Sequence, residues 1–480
     1  MTGAPPRWSD GNAVVVDLGF GDAGKGVTVD LLCARRRFGA VVRANGGAQA
    51  AHNVVTPDGR HHTFAQFGAG TLAPDGPVPT HLSRLVVVDP FALAAEAQHL
   101  AELGVPDPFS LVTVDRRALV STPWHRAANQ VRERARGADR HGSCGMGVGE
   151  AMAYALARPE DAPTAGDCEH PERLRRKLRR LADHLSAVRR EAARPGGAPE
   201  EAGPDTDPDV EECVRAYQAF ARRVRLVDEG YLPSLLARAP VVFEGAQGVL
   251  LDEWHGFHPY TTWSTTTTAN PFALLAEAGR AGDARRIGVV RTFTTRHGAG
   301  PLVAEDPELG ARLVERHNGT HPWQGAFRVG HLDLVAHRYA LAATGGVDSL
   351  VVTHADAPAR AGDRLRWCTA YTAPDGSPVE PSPGDAPAPD HPALRSPGGR
   401  PGLQEAGRAA DHLARQERLT RALESARPVL SAAPAAPAPA IADALGLPLE
   451  AVFSGPTRTD ARVPDRVGAV SHRSRGEGPG

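Results

Sequence analysis

Short runs of β-branched and other apolar residues recur along this chain, each followed by a glycine-containing turn and then an Ala/Leu/Arg-rich stretch of helical length. That alternation predicts βα units of a mostly parallel sheet. Strands are expected over 13–16, 40–43, 85–88, 240–243, 286–290 and 349–353. The fold class is α/β: a large, mainly parallel central sheet with flanking helices. Two regions break the rhythm. Residues 159–209 carry Pro/Asp/Glu/Gly clusters around a basic helical stretch, whose arginines could form a nucleic-acid patch. The interleaved leucines and absent aromatics favour a solvated helix instead. Residues 373–402 and 432–440 are rich in Pro, Ala and Gly, as in surface loops or flexible connections. The expected organisation is a single domain over 13–465, with insertions near 159–209 and 373–402, between a disordered N-terminus (1–12) and a disordered tail (466–480).

Composition narrows the function. Lys and Arg total 54 against 56 Asp and Glu in 480 residues, so no global field favours nucleic acid or an anionic membrane. An anion site must therefore be local. The five cysteines are widely spaced, with no C-x-x-C pair, which points to a reducing, cytoplasmic setting and away from a disulfide framework or structural zinc. No run of eighteen apolar residues occurs, so no membrane span is expected.

The local anion site is at residues 19–26, GFGDAGKG, directly after the first strand. It matches G-x-x-x-x-G-K, but Gly26 stands where a Ser or Thr would hold Mg²⁺. Backbone N–H groups of Gly21, Ala23, Gly24 and Gly26 can converge on phosphate oxygens, the next helix adds its dipole, and Lys25 adds a charge. Asp22 could replace the missing hydroxyl as a metal ligand or act as a base. The alternative is a glycine-rich turn with a surface lysine. A second small-residue cluster, 45–53, ends in His52, a donor to a developing oxyanion if it is not simply exposed. A third, 243–252, follows the strand 240–243 and holds Gln247, whose amide suits a nucleobase edge.

These clusters, in this order, resemble adenylosuccinate synthetase, the GTP-dependent ligase of purine nucleotide synthesis. The likeness extends through GD-x-GKG at 21–26, GG-x-x-x-x-H at 46–52, FEGAQG at 243–248, HG-x-x-PY-x-T at 255–262, GAGP at 298–301, G-x-LD at 330–333 and SGP at 454–456. It implies a P-loop-like GTP site and a reaction in which Asp22 removes the N1 proton of a 6-oxopurine. The oxyanion then attacks the γ-phosphate of GTP, and an amine displaces the 6-phosphoryl group. His52 would donate to the transferring phosphoryl, Lys25 would contact GTP phosphate, and Gln247 would hold the purine. Mg²⁺ would be held by Asp22 and the carbonyl of Ala51. Asp356 would accept from the guanine edge, with Ser454, Gly455 and Pro456 nearby. Gln49, Ser143, Cys144, Arg158 and Thr262 would surround an IMP-like nucleotide, Arg158 reaching it from the neighbouring subunit, which implies a homodimer.

Departures from the family concentrate on the amine side. Where the family places an Arg-rich loop around L-aspartate, this chain reads THPWQGAFRVG over 320–330. Two expected arginines become Gly325 and Phe327, and Arg328 alone remains of the run. Alternatively Trp323 and Phe327 pack inward and a shifted alignment brings Arg316 or Arg328 to the substrate. Loss of bidentate guanidinium contacts from a desolvated carboxylate site costs several kcal/mol, so the expected nucleophile is an amine that need not be L-aspartate, facing Trp323, Gln324 and Arg328. Cys144 and Met146 replace a family threonine and arginine, and His354 a lysine. The alternatives are ordinary adenylosuccinate synthesis from IMP, GTP and L-aspartate, and a non-catalytic nucleotide-binding paralogue.

Overall fold

The computed structural model describes residues 11–193, 208–315, 318–383 and 406–464. The expected tail, the N-terminus before Gly11, residues 384–402 of the Pro-rich segment and Arg316 lie outside them. The frame is a ten-stranded sheet of β1 (Asn12–Asp17), β2 (Ala40–Arg43), β3 (Thr80–Leu82), β4 (Val112–Asp115), β5 (Arg225–Val227), β6 (Val241–Glu244), β7 (Ala284–Arg291), β8 (Ser349–Thr353), β9 (Leu449–Phe453) and β10 (Ala461–Arg462). Its order is β10-β9-β8-β7-β1-β6-β2-β3-β4-β5. Every pairing is parallel except that of β9 with β10.

Side chains alternate across each strand, and here both faces are covered. Ala13, Val15, Val41 and Val242 face one apolar core, whereas Val14, Val16, Val42, Val241 and Phe243 face the other. Such burial explains why β1 reads as an unbroken apolar run. The chain leaves β1 for β2 on one side and later returns to place β7 on the other. The carboxyl ends on either side of β1 therefore border the crevice at which open α/β sheets bind ligands.

Several expectations need correction. Residues 85–88 do not join the main sheet: only Val87–Val88 is extended, pairing with Leu119–Val120, while β3 takes the place beside β2. The basic stretch forms a helix, Pro171–Ala192, that is solvated on one face only. Its Leu174, Leu178, Leu181, Leu185 and Val188 are buried in the core, at the spacing of a helical stripe. Arg175, on the outer face, pairs with Glu172 and Glu211. Residues 432–440 are not a loop: the strand Arg427–Ala432 ends there and a helix, Pro437–Leu445, begins, its proline tolerated in the first turn where no N–H bond is needed. Among the described residues no helix is long and apolar enough to cross a membrane.

Candidate active site

Asp17, the last residue of β1, organises the loop that follows. Its Oδ1 accepts from the N–H of Gly19 (2.8 Å) and Gly21 (3.2 Å), and its Oδ2 from Ala23 N–H (2.7 Å) and Lys25 Nζ (3.3 Å). Lys25 is 1% exposed and also donates to the Gly21 carbonyl at 2.8 Å. Two of its three protons are thus committed beneath the loop, leaving one for a phosphate oxygen. Gly24 caps the helix Lys25–Arg35 with φ 99°, a left-handed conformation costly for any residue with a Cβ.

The other two glycine-bearing clusters meet this loop. A Cβ on Gly26 would lie 3.0 Å from the His52 side chain, and one on Gly21 3.3 Å from the Gln247 backbone. His52 donates or accepts through Nδ1 to Glu244 Oε1 at 2.5 Å, and Glu244 Oε2 accepts from Ala69 N–H at 3.0 Å with Arg43 at 3.9 Å. Burial pushes the Glu244 carboxyl up, but Arg43 and His52 outweigh it and hold the group below the usual range. Burial lowers His52 to about 4 against the pull of Glu244. The pair at rest is therefore a carboxylate accepting from a neutral ring, which can gain a proton when a phosphoryl group brings negative charge to Nε2.

Asp22 projects from the loop with its Oδ2 buried and without a hydrogen-bond partner. Burial raises its pKa, partly countered by His297 and Arg291. Gln247 holds φ 57°, unusual for a non-glycine residue, and both its amide atoms are buried without partners. Strain of this kind costs roughly 1–3 kcal/mol and collects at ligand sites. Gln49 Oε1 is likewise unpartnered, and Ala51, next to His52, is exposed.

The loop after β8 joins the same region. Thr353 Oγ1 donates to the Ala23 carbonyl at 2.7 Å, and Ala355 N–H to the Phe453 carbonyl at 2.9 Å. The second bond sets Asp356 near the end of β9, which leads into Ser454, Gly455 and Pro456. Asp356 pairs with Arg360 at 3.3 Å. His354 accepts from Arg291 at 2.8 Å, and burial holds its pKa well below the ordinary value.

On the expected nucleotide side, Ser143 is already engaged: its hydroxyl donates to Asn129 Oδ1 (2.9 Å) and accepts from Gly145 N–H (3.2 Å). The N–H groups of Gly142 and Ser143 point to Glu133, so a phosphate at this loop would need the N–H groups of Cys144 or Met146. Burial raises the Cys144 thiol pKa. Thr262 is partly buried, with its N–H on the Leu251 carbonyl at 2.8 Å. Arg158 is exposed just beyond the helix Val148–Ala157, lying over Tyr154.

The amine-side loop folds over that nucleotide loop. Trp323 packs against Gly145, where a Cβ would approach its Cδ1 to 2.9 Å, and the Arg134 guanidinium lies 5.1 Å from its ring centre. Gln324 and Trp323 both direct their N–H groups at His321 Nδ1. Arg328, the arginine expected to meet substrate, is held by Glu305 and by the carbonyls of Gly298 (3.0 Å) and Gly300 (2.7 Å). Its cross-strand neighbour Arg296 is consumed by the carbonyls of Ala299 (2.8 Å), Pro301 (3.0 Å) and Tyr260 (3.3 Å). Replacing Gly145 by Ala is expected to push Trp323 aside and raise KM for the amine about tenfold, because φ at this position is 75° as well as crowded. An unchanged KM would mean that Trp323 does not border the amine.

Asp17, Glu244 as partner of His52, Arg291 and His297 are site residues that reading the sequence did not single out. Asp17 had a signal, a carboxylate at the last strand position before the glycine loop. The others act through contacts across 63 to 275 positions of chain, and sequence spacing carries no trace of them.

The chain matches the model of the adenylosuccinate synthetase family over residues 14–392. It is 32% identical to the adenylosuccinate synthetase of Synechocystis sp. over 384 residues, 78% of this chain and 81% of that one. The enzyme of Stenotrophomonas maltophilia is also 32% identical, over 75% and 80% of the two chains. Among solved structures, fully ligated adenylosuccinate synthetase from Plasmodium falciparum superposes with a TM-score of 0.74 at 19% identity, covering 95% of this chain and all of that one. Cyanophage S-2L succinoaminodeoxyadenylate synthetase, solved with dGMP and with dATP as an energy donor, gives 0.54 at 19% identity, covering 95% of each chain. With the three glycine-bearing clusters joined at the ends of β1, β2 and β6, the chain belongs to the adenylosuccinate synthetase family, GTP-dependent ligases that form a C–N bond.

Proposed function

We propose that this ligase uses GTP to phosphorylate the 6-oxo group of an IMP-like purine nucleotide and then displaces the phosphate with an amine other than L-aspartate. One observation carries the reading: Asp22, the His52–Glu244 pair and Gln247 lie on loops that touch one another, and three of their polar atoms are buried without partners. Asp22 takes the N1 proton, its raised pKa making it the stronger base. The electron pair moves to O6, which attacks the γ-phosphorus, and GDP leaves. His52 donates to the transferring phosphoryl group, and the remaining Lys25 proton steadies the GTP phosphates. Gln247 holds the purine by its amide. The amine attacks C6, loses a proton, and inorganic phosphate departs with the former O6.

Mg²⁺ would be held by the Asp22 carboxylate and the Ala51 carbonyl, hard oxygen donors that suit it. Phosphate oxygens and water would supply the other ligands. When bound it neutralises charge on the β- and γ-phosphates. Asp356 selects guanine by accepting from N1–H and N2–H, groups an adenine cannot supply. Exposed Arg158 serves the nucleotide of a neighbouring subunit in a homodimer.

The departure from L-aspartate rests on the arginines. Arg296 makes three hydrogen bonds to backbone carbonyls and Arg328 four to backbone carbonyls and Glu305, so most of their N–H donors are engaged, while Trp323 and Phe327 supply aromatic surface. An amine with a second carboxylate would have to displace those bonds. The test supplies purified protein with Mg²⁺, IMP and either GTP or ATP, together with each of a panel of amino acids and amines, following nucleoside diphosphate and phosphate release. Turnover is expected with GTP and an amine other than L-aspartate. Turnover with L-aspartate alone would overturn the amine assignment, and tight IMP binding without turnover on any amine would overturn catalysis.

A further inference from the structure

The antiparallel pair of strands Thr294–His297 and Phe327–Gly330 points one side chain at the loop after β1. His297 Nε2 lies 3.5 Å from Asp22 Oδ2, the oxygen that has no hydrogen-bond partner. The imidazole also packs on its cross-strand neighbour Phe327, ring centres 4.8 Å apart. His297 Nδ1 is buried and also unpartnered. No other side chain is recorded on that Asp22 oxygen among the described residues.

The turn beyond His297 is fixed by Arg328, which was expected to meet substrate, and by its cross-strand neighbour Arg296. Arg296 Nε binds the Ala299 carbonyl and Arg328 Nη1 the carbonyls of Gly298 and Gly300. Gly298 N–H donates to the Ala326 carbonyl at 2.9 Å. These bonds cross the strand pair twice and leave the His297 backbone little freedom. Guanidinium groups committed to main-chain carbonyls are a rigid support, since each bond has fixed fork geometry.

We propose that His297 is a positioning residue for Asp22: its Nε2–H donates to Oδ2 in the substrate complex, turning Oδ1 toward the purine N1 proton. This deepens the reading of Asp22 as base and rests on it. A contact of 3.5 Å in the free protein closes to a hydrogen bond when the site tightens around substrate, as catalytic contacts commonly do. A carboxylate rotated out of line loses proton-transfer geometry without losing binding, and a misplacement of about 1 Å costs on the order of 10²-fold in rate.

Three full-length variants test this: His297→Ala, His297→Gln and Phe327→Leu, each assayed with GTP, Mg²⁺, IMP and the amine that supports wild-type turnover. His297→Ala is expected to lower kcat roughly 30- to 100-fold with KM for IMP within about threefold, and His297→Gln, which keeps an N–H donor, to recover to within about fivefold of wild type. Phe327→Leu keeps an apolar neighbour and is expected to fall between them. Equal losses in Ala and Gln variants, or a loss confined to KM, would overturn the positioning role. A readout independent of turnover is the imidazole ¹⁵N spectrum: Asp22→Asn is expected to shift the His297 resonances in the free protein, and unchanged resonances would show that the two side chains do not interact. If the wild-type protein turns over no amine at all, the proposed reaction fails; a shifted spectrum would then still establish the contact.

Discussion

Asp22→Asn is expected to reduce turnover by roughly 10³-fold or more while IMP affinity, and GTP affinity measured without Mg²⁺, stay within about threefold. The amide has the carboxylate's shape but cannot accept the N1 proton, so the oxyanion that attacks phosphorus does not form. Binding survives because the loop is held by Asp17, which collects three N–H groups and the Lys25 ammonium, and not by Asp22. Single-turnover phosphate formation beside calorimetric titration separates the two effects. Turnover within tenfold of wild type would remove Asp22 as the base.

Glu244→Gln ranks next, with an expected loss of about 10²-fold in kcat. Its carboxylate holds His52 Nδ1 at 2.5 Å and lies 3.9 Å from Arg43. Without that charge, nothing offsets the burial that already lowers His52 to about 4, and the ring would not gain the proton it must present to the phosphoryl group. Arg43, 1% exposed, would also lose its counter-charge. Breaking a buried pair in this way costs about 3–5 kcal/mol, so a fall in Tm should accompany the kinetic loss. A full-rate variant, whatever its Tm, would show that the His52–Glu244 pair takes no part in phosphoryl transfer.

Much of the frame could be read from residue order. β1, β2, β6, β7 and β8 are apolar on both faces, and their runs stand out within a residue or two of their observed limits. The strands that went unread, β3, β4, β5, β9 and β10, are two to five residues long, and β3 and β4 carry His81 and Thr113 in a mutual side-chain bond at 3.0 Å. Polar residues satisfied by a neighbouring strand erase the apolar pattern that marks a strand. The Ala/Pro stretch 432–440 failed for the opposite reason: proline in a first helical turn looks like a loop when the core against which Ala438 and Ile441 pack is unseen.

The site divides along the same line. Glycine spacing revealed the three loops because backbone approach demands small residues locally. The fate of Arg328 was hidden, since sequence names a guanidinium but not the carbonyls of Gly298 and Gly300 that occupy it. The same holds for His297, whose tie to Asp22 spans 275 positions.

Oxygen transfer tests the proposed chemistry most directly. IMP labelled with ¹⁸O at position 6 would be incubated with the protein, GTP, Mg²⁺ and a mixture of amines, and the released phosphate analysed by mass spectrometry. One ¹⁸O per phosphate is expected, because O6 becomes the bridging atom and leaves with phosphorus. Phosphate released without label, or label retained on the purine through turnover, would contradict activation of the 6-oxo group.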